Sequence, residues 1–216
     1  MEFKFKGRTQ NSHQGLMLGN GFLGALIYGS NKLEFSLDRI DLWDERLPSE
    51  YFDKNFNYPY LVKNLNEDLT EAYRLFDSCY NHSYPTKINA GILCFDYEIK
   101  KDDLFSINFK TATANFISSD LKFESYIDAN KNVLVIKLNR ALNYSIKMPK
   151  YFYKTIENSG LGYEKCSSFS DQNFDFVIQK YGDNKKYGIA ILNHNNQLFV
   201  TIFKGTIFLP SLHSFM

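Results

Sequence analysis

Cysteine is scarce and scattered. Cys79, Cys94 and Cys166 form an odd, widely spaced set with no CxxC pair, which argues against a disulfide framework and makes a reducing, cytoplasmic setting the expectation. No stretch approaches the roughly 18 apolar residues that read as a membrane span. The first ten residues, MEFKFKGRTQ, hold no apolar signal-peptide core. An excess of charge is missing too, since 25 Lys and Arg against 24 Asp and Glu leave a formal net charge of +1. That argues against a nucleic acid or an acidic membrane held by bulk electrostatics. The densest basic spots, Lys100-Lys101 and Lys185-Lys186, each sit beside Asp and read as solvated turns. Five prolines and twelve glycines are too few to mark a linker, and no repeat or low-complexity segment interrupts the chain. The histidines His13, His82, His194 and His213 show no metal-ligand spacing, and no Gly-x-Ser-x-Gly elbow exists. Neither a metal nor a cofactor is expected.

Aromatics are abundant. The 216 residues include 20 Phe and 15 Tyr, and 44% of the chain is hydrophobic, which excludes disorder and suffices for one large domain spanning 1–216. Residues 22–28, FLGALIY, form a short apolar run stopped by Gly29-Ser30-Asn31. KLEFSLD then alternates, with Leu33, Phe35 and Leu37 on one face, so the two stretches predict a hairpin. Residues 60–79 change period: Leu61, Leu65, Leu69, Ala72 and Phe76 recur at three and four, predicting one or two short helices with an N-cap at Asn66. From residue 90 the strand signal returns in GILCFDYEI, LFSINFKTA, LKFESYID, NVLVIKLN, FDFVIQKY, YGIAILN and QLFVTIFK. Sequential strands joined by short turns imply antiparallel pairing, and this many imply two sheets packed face to face.

Two motifs carry candidate chemistry. Gly19-Asn20-Gly21-Phe22-Leu23-Gly24 matches GxGxxG, and Asp44 follows about twenty residues on, where a dinucleotide site places its ribose-binding acid. That site needs a preceding strand and a full following helix. The turn at Gly29-Ser30-Asn31 forbids the helix, so the glycines predict a tight turn feeding a strand. Asp38, Asp41, Asp44 and Glu45 cluster around Trp43, the sole tryptophan. Carboxylates beside an aromatic ring suit a sugar site. The same residues also suit a solvated loop with Trp43 packed into the core, and the apolar neighbours Leu42 and Leu47 predict that Trp43 is buried.

Taken together, residues 15–45, GLMLGNGFLGALIYGSNKLEFSLDRIDLWDE, resemble the opening of family 95 glycoside hydrolases, the α-L-fucosidase group. Gly19, Asn20, Gly21, Leu23, Gly24, Ala25 and Gly29 match that family's glycine-rich stretch, and Leu37, Leu42 and Trp43 match the strand end that follows. The likeness extends over about residues 13–140. It departs at Asp38, Arg39 and Met17, where the family has Asn, Glu and Pro. The resemblance implies a mainly β fold, a two-sheet antiparallel β-supersandwich with its short helical insertion near 60–79. It also implies a catalytic (α/α)6 barrel that this chain, ending at Met216 in IFLPSLHSFM, is expected to lack. No catalytic residue then carries over. Asn20, Asp38, Asp41 and Trp43 are the candidate substrate-binding residues. The expected partner is a carbohydrate or a barrel domain, with no nucleic acid and no membrane. The leading expectation is a non-catalytic N-terminal domain of a fucosidase-like enzyme. The alternatives are a free-standing carbohydrate-binding module and a structural docking module.

Overall fold

A computed structural model describes residues 1–155, 160–171 and 173–205. The ending IFLPSLHSFM and His213 lie outside the described residues. In chain order the strands are β1 (Glu2–Lys6), β2 (Leu16–Gly19), β3 (Leu23–Tyr28), β4 (Lys32–Arg39), β5 (Trp43–Asp44), β6 (Thr86–Lys87), β7 (Gly91–Glu98) and β8 (Leu104–Asn108). They continue with β9 (Thr113–Ile117), β10 (Lys122–Ile127), β11 (Leu134–Leu138), β12 (Tyr144–Lys147), β13 (Ser167–Asp171), β14 (Phe174–Tyr181), β15 (Lys185–His194) and β16 (Gln197–Lys204). Two α-helices, α1 (Tyr58–Glu67) and α2 (Leu69–Ala72), fall between β5 and β6.

The chain groups into two compact units. The first takes Met1–Leu42, Asn89–Pro149 and the residues from Glu164 on; the second takes Trp43–Ile88 and Lys150–Tyr163. Among the described residues the first unit holds a nine-stranded sheet, ordered β1-β8-β9-β10-β11-β16-β15-β14-β13, and a five-stranded sheet, ordered β12-β7-β4-β3-β2. Every pairing is antiparallel. This is the β-sandwich that the alternating strands predict.

Aromatic rings close the sandwich. Phe35 on β4 lies 5.4 Å from Phe123 on β10 between ring centroids. Tyr97 on β7 meets Phe116 on β9 edge-on at 5.5 Å. Offset and edge-to-face contacts of this kind add about 0.5–1.5 kcal/mol each beyond the area they bury. Leu33, Phe35 and Leu37 are all buried, as the period-2 pattern of β4 requires.

The predicted hairpin forms, with β3 and β4 paired from Leu23↔Arg39 to Tyr28↔Glu34. The glycine motif is the turn before it. Gly19 pairs with Gly24 across β2 and β3, and Gly21 sits at φ 87°, a left-handed conformation that glycine adopts without steric cost. No helix follows, so the dinucleotide geometry is absent.

The second unit holds the helical insertion and the two-stranded β5-β6 ladder. Its capping differs from the expectation. Asn57, not Asn66, caps α1, its side chain accepting from the Tyr60 N–H at 3.0 Å. Asn66 lies within α1, where its amide donates back to the Val62 carbonyl. Asp68 ends α1 and caps α2 through the Glu71 N–H at 3.1 Å. Asp68 breaks the phase of the stripe that the sequence shows as continuous. Leu65 and Leu69 are exposed while Ala72 is buried. The helical path continues through a π turn at Tyr73–Asp77 and a 3-10 turn at Ser78–Asn81. No described helix is long and apolar enough to cross a membrane.

Candidate functional site

The residues that the sequence groups between Asn20 and Glu45 are placed separately. Asn20 is spent inside the first unit. Its Oδ1 accepts from the Phe22 and Leu23 N–H groups at 3.0 and 2.9 Å, closing the turn. Its Nδ2 donates to the Asp128 carbonyl at 3.0 Å and lies near the Lys131 carbonyl and Asn132 Oδ1. One side chain thus ties two loops 108 residues apart in sequence.

Asp38 and Asp41 flank Arg39 at the end of β4. Asp38 Oδ1 accepts from the Arg39 N–H at 2.8 Å. The Arg39 guanidinium binds Asp41 with both arms, at 2.7 and 3.3 Å, and donates to the Ile202 carbonyl at 2.8 Å. It also lies 4.6 Å from the Phe22 ring centre. Lys204 adds its ammonium to the Asp41 carbonyl at 2.8 Å and to the Asp41 carboxylate at 3.4 Å. Burial works to raise the Asp41 carboxyl, but Arg39 and Lys204 outweigh it and hold it below the usual carboxylate range. Asn20 and Asp41 share no hydrogen-bond partner among the described residues.

Trp43 belongs to the second unit, and its predicted burial is wrong: the side chain is 47% exposed, as is Leu47. The reason is the strand period. β5 alternates, and its inward position goes to Asp44, which is fully buried. Asp44 is inward because its partners are. Arg46 grips both carboxylate oxygens, the shortest contact being 2.6 Å, and Tyr163 donates its hydroxyl to Oδ2 at 2.7 Å. The Arg46 guanidinium also donates to the Leu161 carbonyl at 2.8 Å and covers the Tyr84 ring at 4.2 Å. Burial would raise the Asp44 carboxyl, but Arg46 and Tyr163 outweigh it and hold it ionised below the usual range. Burial and the Asp44 charge push the Tyr163 phenol upward. Glu45 is exposed.

A cleft that the sequence does not announce lies in the second unit. It encloses about 480 Å³ and is lined by Ser49, Glu50, Phe52, Asp53, Arg74, Leu75 and Ser78. Glu50 is its anchor. Oε1 accepts from Ser78 Oγ at 3.0 Å, while Oε2 meets Ser49 Oγ and His82 Nε2, both at 3.1 Å. The Glu50 backbone N–H, followed by these three donors, holds the carboxyl at about 2. Arg74 is fixed by a two-armed pair with Glu71 at 2.6 and 2.7 Å and reaches Asp53 at 4.0 Å. Phe52 stands at the rim, 76% exposed. His82 and Glu50 are 32 residues apart, a separation that matches no motif, so only the folded chain joins them. Ser78 and His82 both bond to Glu50 rather than to each other, so the cluster lacks the nucleophile–base contact of a hydrolytic triad. No group of three or more His, Cys, Asp or Glu among the described residues is arranged to hold a metal.

No protein-family model matches the chain, and no curated protein matches it either.

Proposed function

We infer that this chain is a non-catalytic, carbohydrate-binding β-sandwich domain of the kind that accompanies glycoside hydrolases, in the setting of the family 95 resemblance. The observation that carries this reading is the cleft of the second unit. An exposed Phe52 ring stands beside the planar polar groups of Glu50, Asp53 and Arg74. Sugar rings are met by the same pairing of a flat apolar face with fixed hydrogen-bonding groups, in clefts of about this size. Trp43, 47% exposed in the same unit, offers a second stacking face. The grouped carboxylates support a binding role over a hydrolytic one. Asp41 and Asp44 are held ionised by arginines, whereas glycoside hydrolysis needs a carboxylic acid with its pKa raised. The resembling segment, folded here as β2, β3 and β4, supports the sandwich setting.

A panel of neutral oligosaccharides, fucosylated ones included, is titrated against the full chain by calorimetry. The expected result is binding that Phe52→Ala weakens at least tenfold, with no turnover of aryl glycosides. Absence of any binding overturns the reading. So does hydrolysis that vanishes in Asp41→Asn or Asp44→Asn.

A further inference from the structure

The basic turn at Lys100-Lys101 is joined by two further cations once folded, Lys6 and Arg8. Gly7 follows β1 at φ 75°, its N–H donating to the Asp103 carbonyl at 2.8 Å. A Cβ at position 7 would lie 2.9 Å from the Lys101 carbonyl, so the two backbones run in direct contact. That contact brings Lys6 and Arg8 against Ile99, Lys100 and Lys101 around one cavity of about 590 Å³. The neighbouring acids Asp102, Asp103 and Asp120 do not line this cavity. Asp103 is buried, accepting from the Lys100 N–H at 2.8 Å and the Tyr97 hydroxyl at 3.2 Å. Asp102 lines the adjoining hollow, whose wall also includes Lys6, Lys100 and Lys101. Asp120 engages the Lys100 ammonium at 2.7 Å and Arg140 at 3.1 Å.

Three cations remain over the cavity. Lys6 and Lys101 have no ion pair among the described residues, and Arg8 donates only its Nε, to the Ile99 carbonyl at 3.1 Å. That single bond orients the guanidinium and leaves its two terminal amino groups open. Of the carboxylates, Glu98 lines this cavity. Gathering like charges is unfavourable unless an anion joins them, and a guanidinium fork with two ammonium groups suits a tetrahedral oxyanion. The cavity lies within the roughly 300–1,000 Å³ range of ligand pockets, larger than one bare oxyanion needs.

We propose that this cavity binds a phosphate or sulfate oxyanion, free or carried as an ester, through Arg8, Lys6 and Lys101. The site belongs to the first unit and does not depend on the sugar-binding cleft. Isotope-labelled full-length chain is titrated with inorganic phosphate, a hexose 6-phosphate, a sulfated disaccharide and the uncharged hexose, and amide shifts are followed by NMR. The expected result is saturable shifts at Gly7, Arg8, Lys100 and Lys101 with the three anions and none with the neutral hexose. Inorganic phosphate binding as tightly as the esters identifies a free oxyanion ligand, and tighter ester binding identifies a carried one; either supports the site. Lys101→Glu and Arg8→Glu, both at exposed positions, weaken binding at least tenfold. Glu98→Gln tightens it about fivefold, the effect of one unit charge a few ångströms away in water. Equal binding of the neutral hexose, unchanged affinity in Lys101→Glu, or weaker binding in Glu98→Gln overturns the proposal.

Discussion

Asp44 shows how much one side chain can carry. It is fully buried, charged, and satisfied by Arg46 and Tyr163. Removing one partner of a buried pair strands the other charge, so Asp44→Ala is expected to lower stability by about 3–5 kcal/mol, read as a shift in the urea midpoint. The pH dependence follows from the depressed carboxyl. Asp44 contributes its full stability above the ordinary carboxylate range, about pH 4, and loses it as pH falls through the lower folded value. Asp44→Asn should therefore flatten the acid limb of the stability curve below about pH 4 and leave its neutral slope unchanged. Trp43 is the opposite case. At 47% exposure, Trp43→Ala is expected to cost about 1 kcal/mol or less, not the roughly 3–5 of a buried aromatic. Urea titration of the two variants side by side separates these roles. Hydropathy ranks Trp above Asp for burial, and that ranking misplaces both, because the local Arg46 ion pair and the tertiary Tyr163 hydrogen bond outweigh it at Asp44.

Among the elements, the β2–β3 turn is the most exactingly specified. Gly21 needs positive φ but has open space around it. Gly21→Ala should therefore cost only the conformational penalty, about 1–2 kcal/mol, with no steric addition. A larger loss in thermal unfolding would mean that Asn20's links to the 128–132 loop fail with the turn. Turn and hairpin were legible because their signals are local: Gly for positive φ, alternation for the strand face. The start of α1 was misread for the same reason. Asn57 and Asn66 both precede helix-compatible residues, and only the chain's path decides which one caps. β1, β2, β5, β6, β9, β12 and β13 are not among the strands read from the sequence. β13, SSFSD, is exposed along its length and owes its conformation to pairing with β14, from Ser167↔Ile178 to Asp171↔Phe174.

On the scale of the whole molecule, burial is uneven along the nine-stranded sheet. β15 buries Tyr187 to Ile191 continuously, whereas the edge strand β13 buries nothing. Amide exchange should accordingly be slowest in β15 and its neighbours and fast in β13 and the first turn of α1, measured by hydrogen exchange at native pH. Protection in β13 equal to that in β15 would contradict this arrangement. Phe35 against Phe123 and Tyr97 against Phe116 show how the abundant aromatics fill the sandwich.

Sequence alone determined the fold class, the hairpin, the glycine turn and the place of the helical insertion. Each is written in a period or a turn residue within a few positions of where it acts. Tertiary structure alone decided which distant polar groups meet. Glu50 joins His82 across 32 residues, Asp44 joins Tyr163 across 119, and Arg8 joins Ile99 across 91. No local pattern encodes such pairs, because the energy that brings them together is the burial of Phe, Tyr and Leu elsewhere in the chain, and the charged groups take the positions that this packing leaves them.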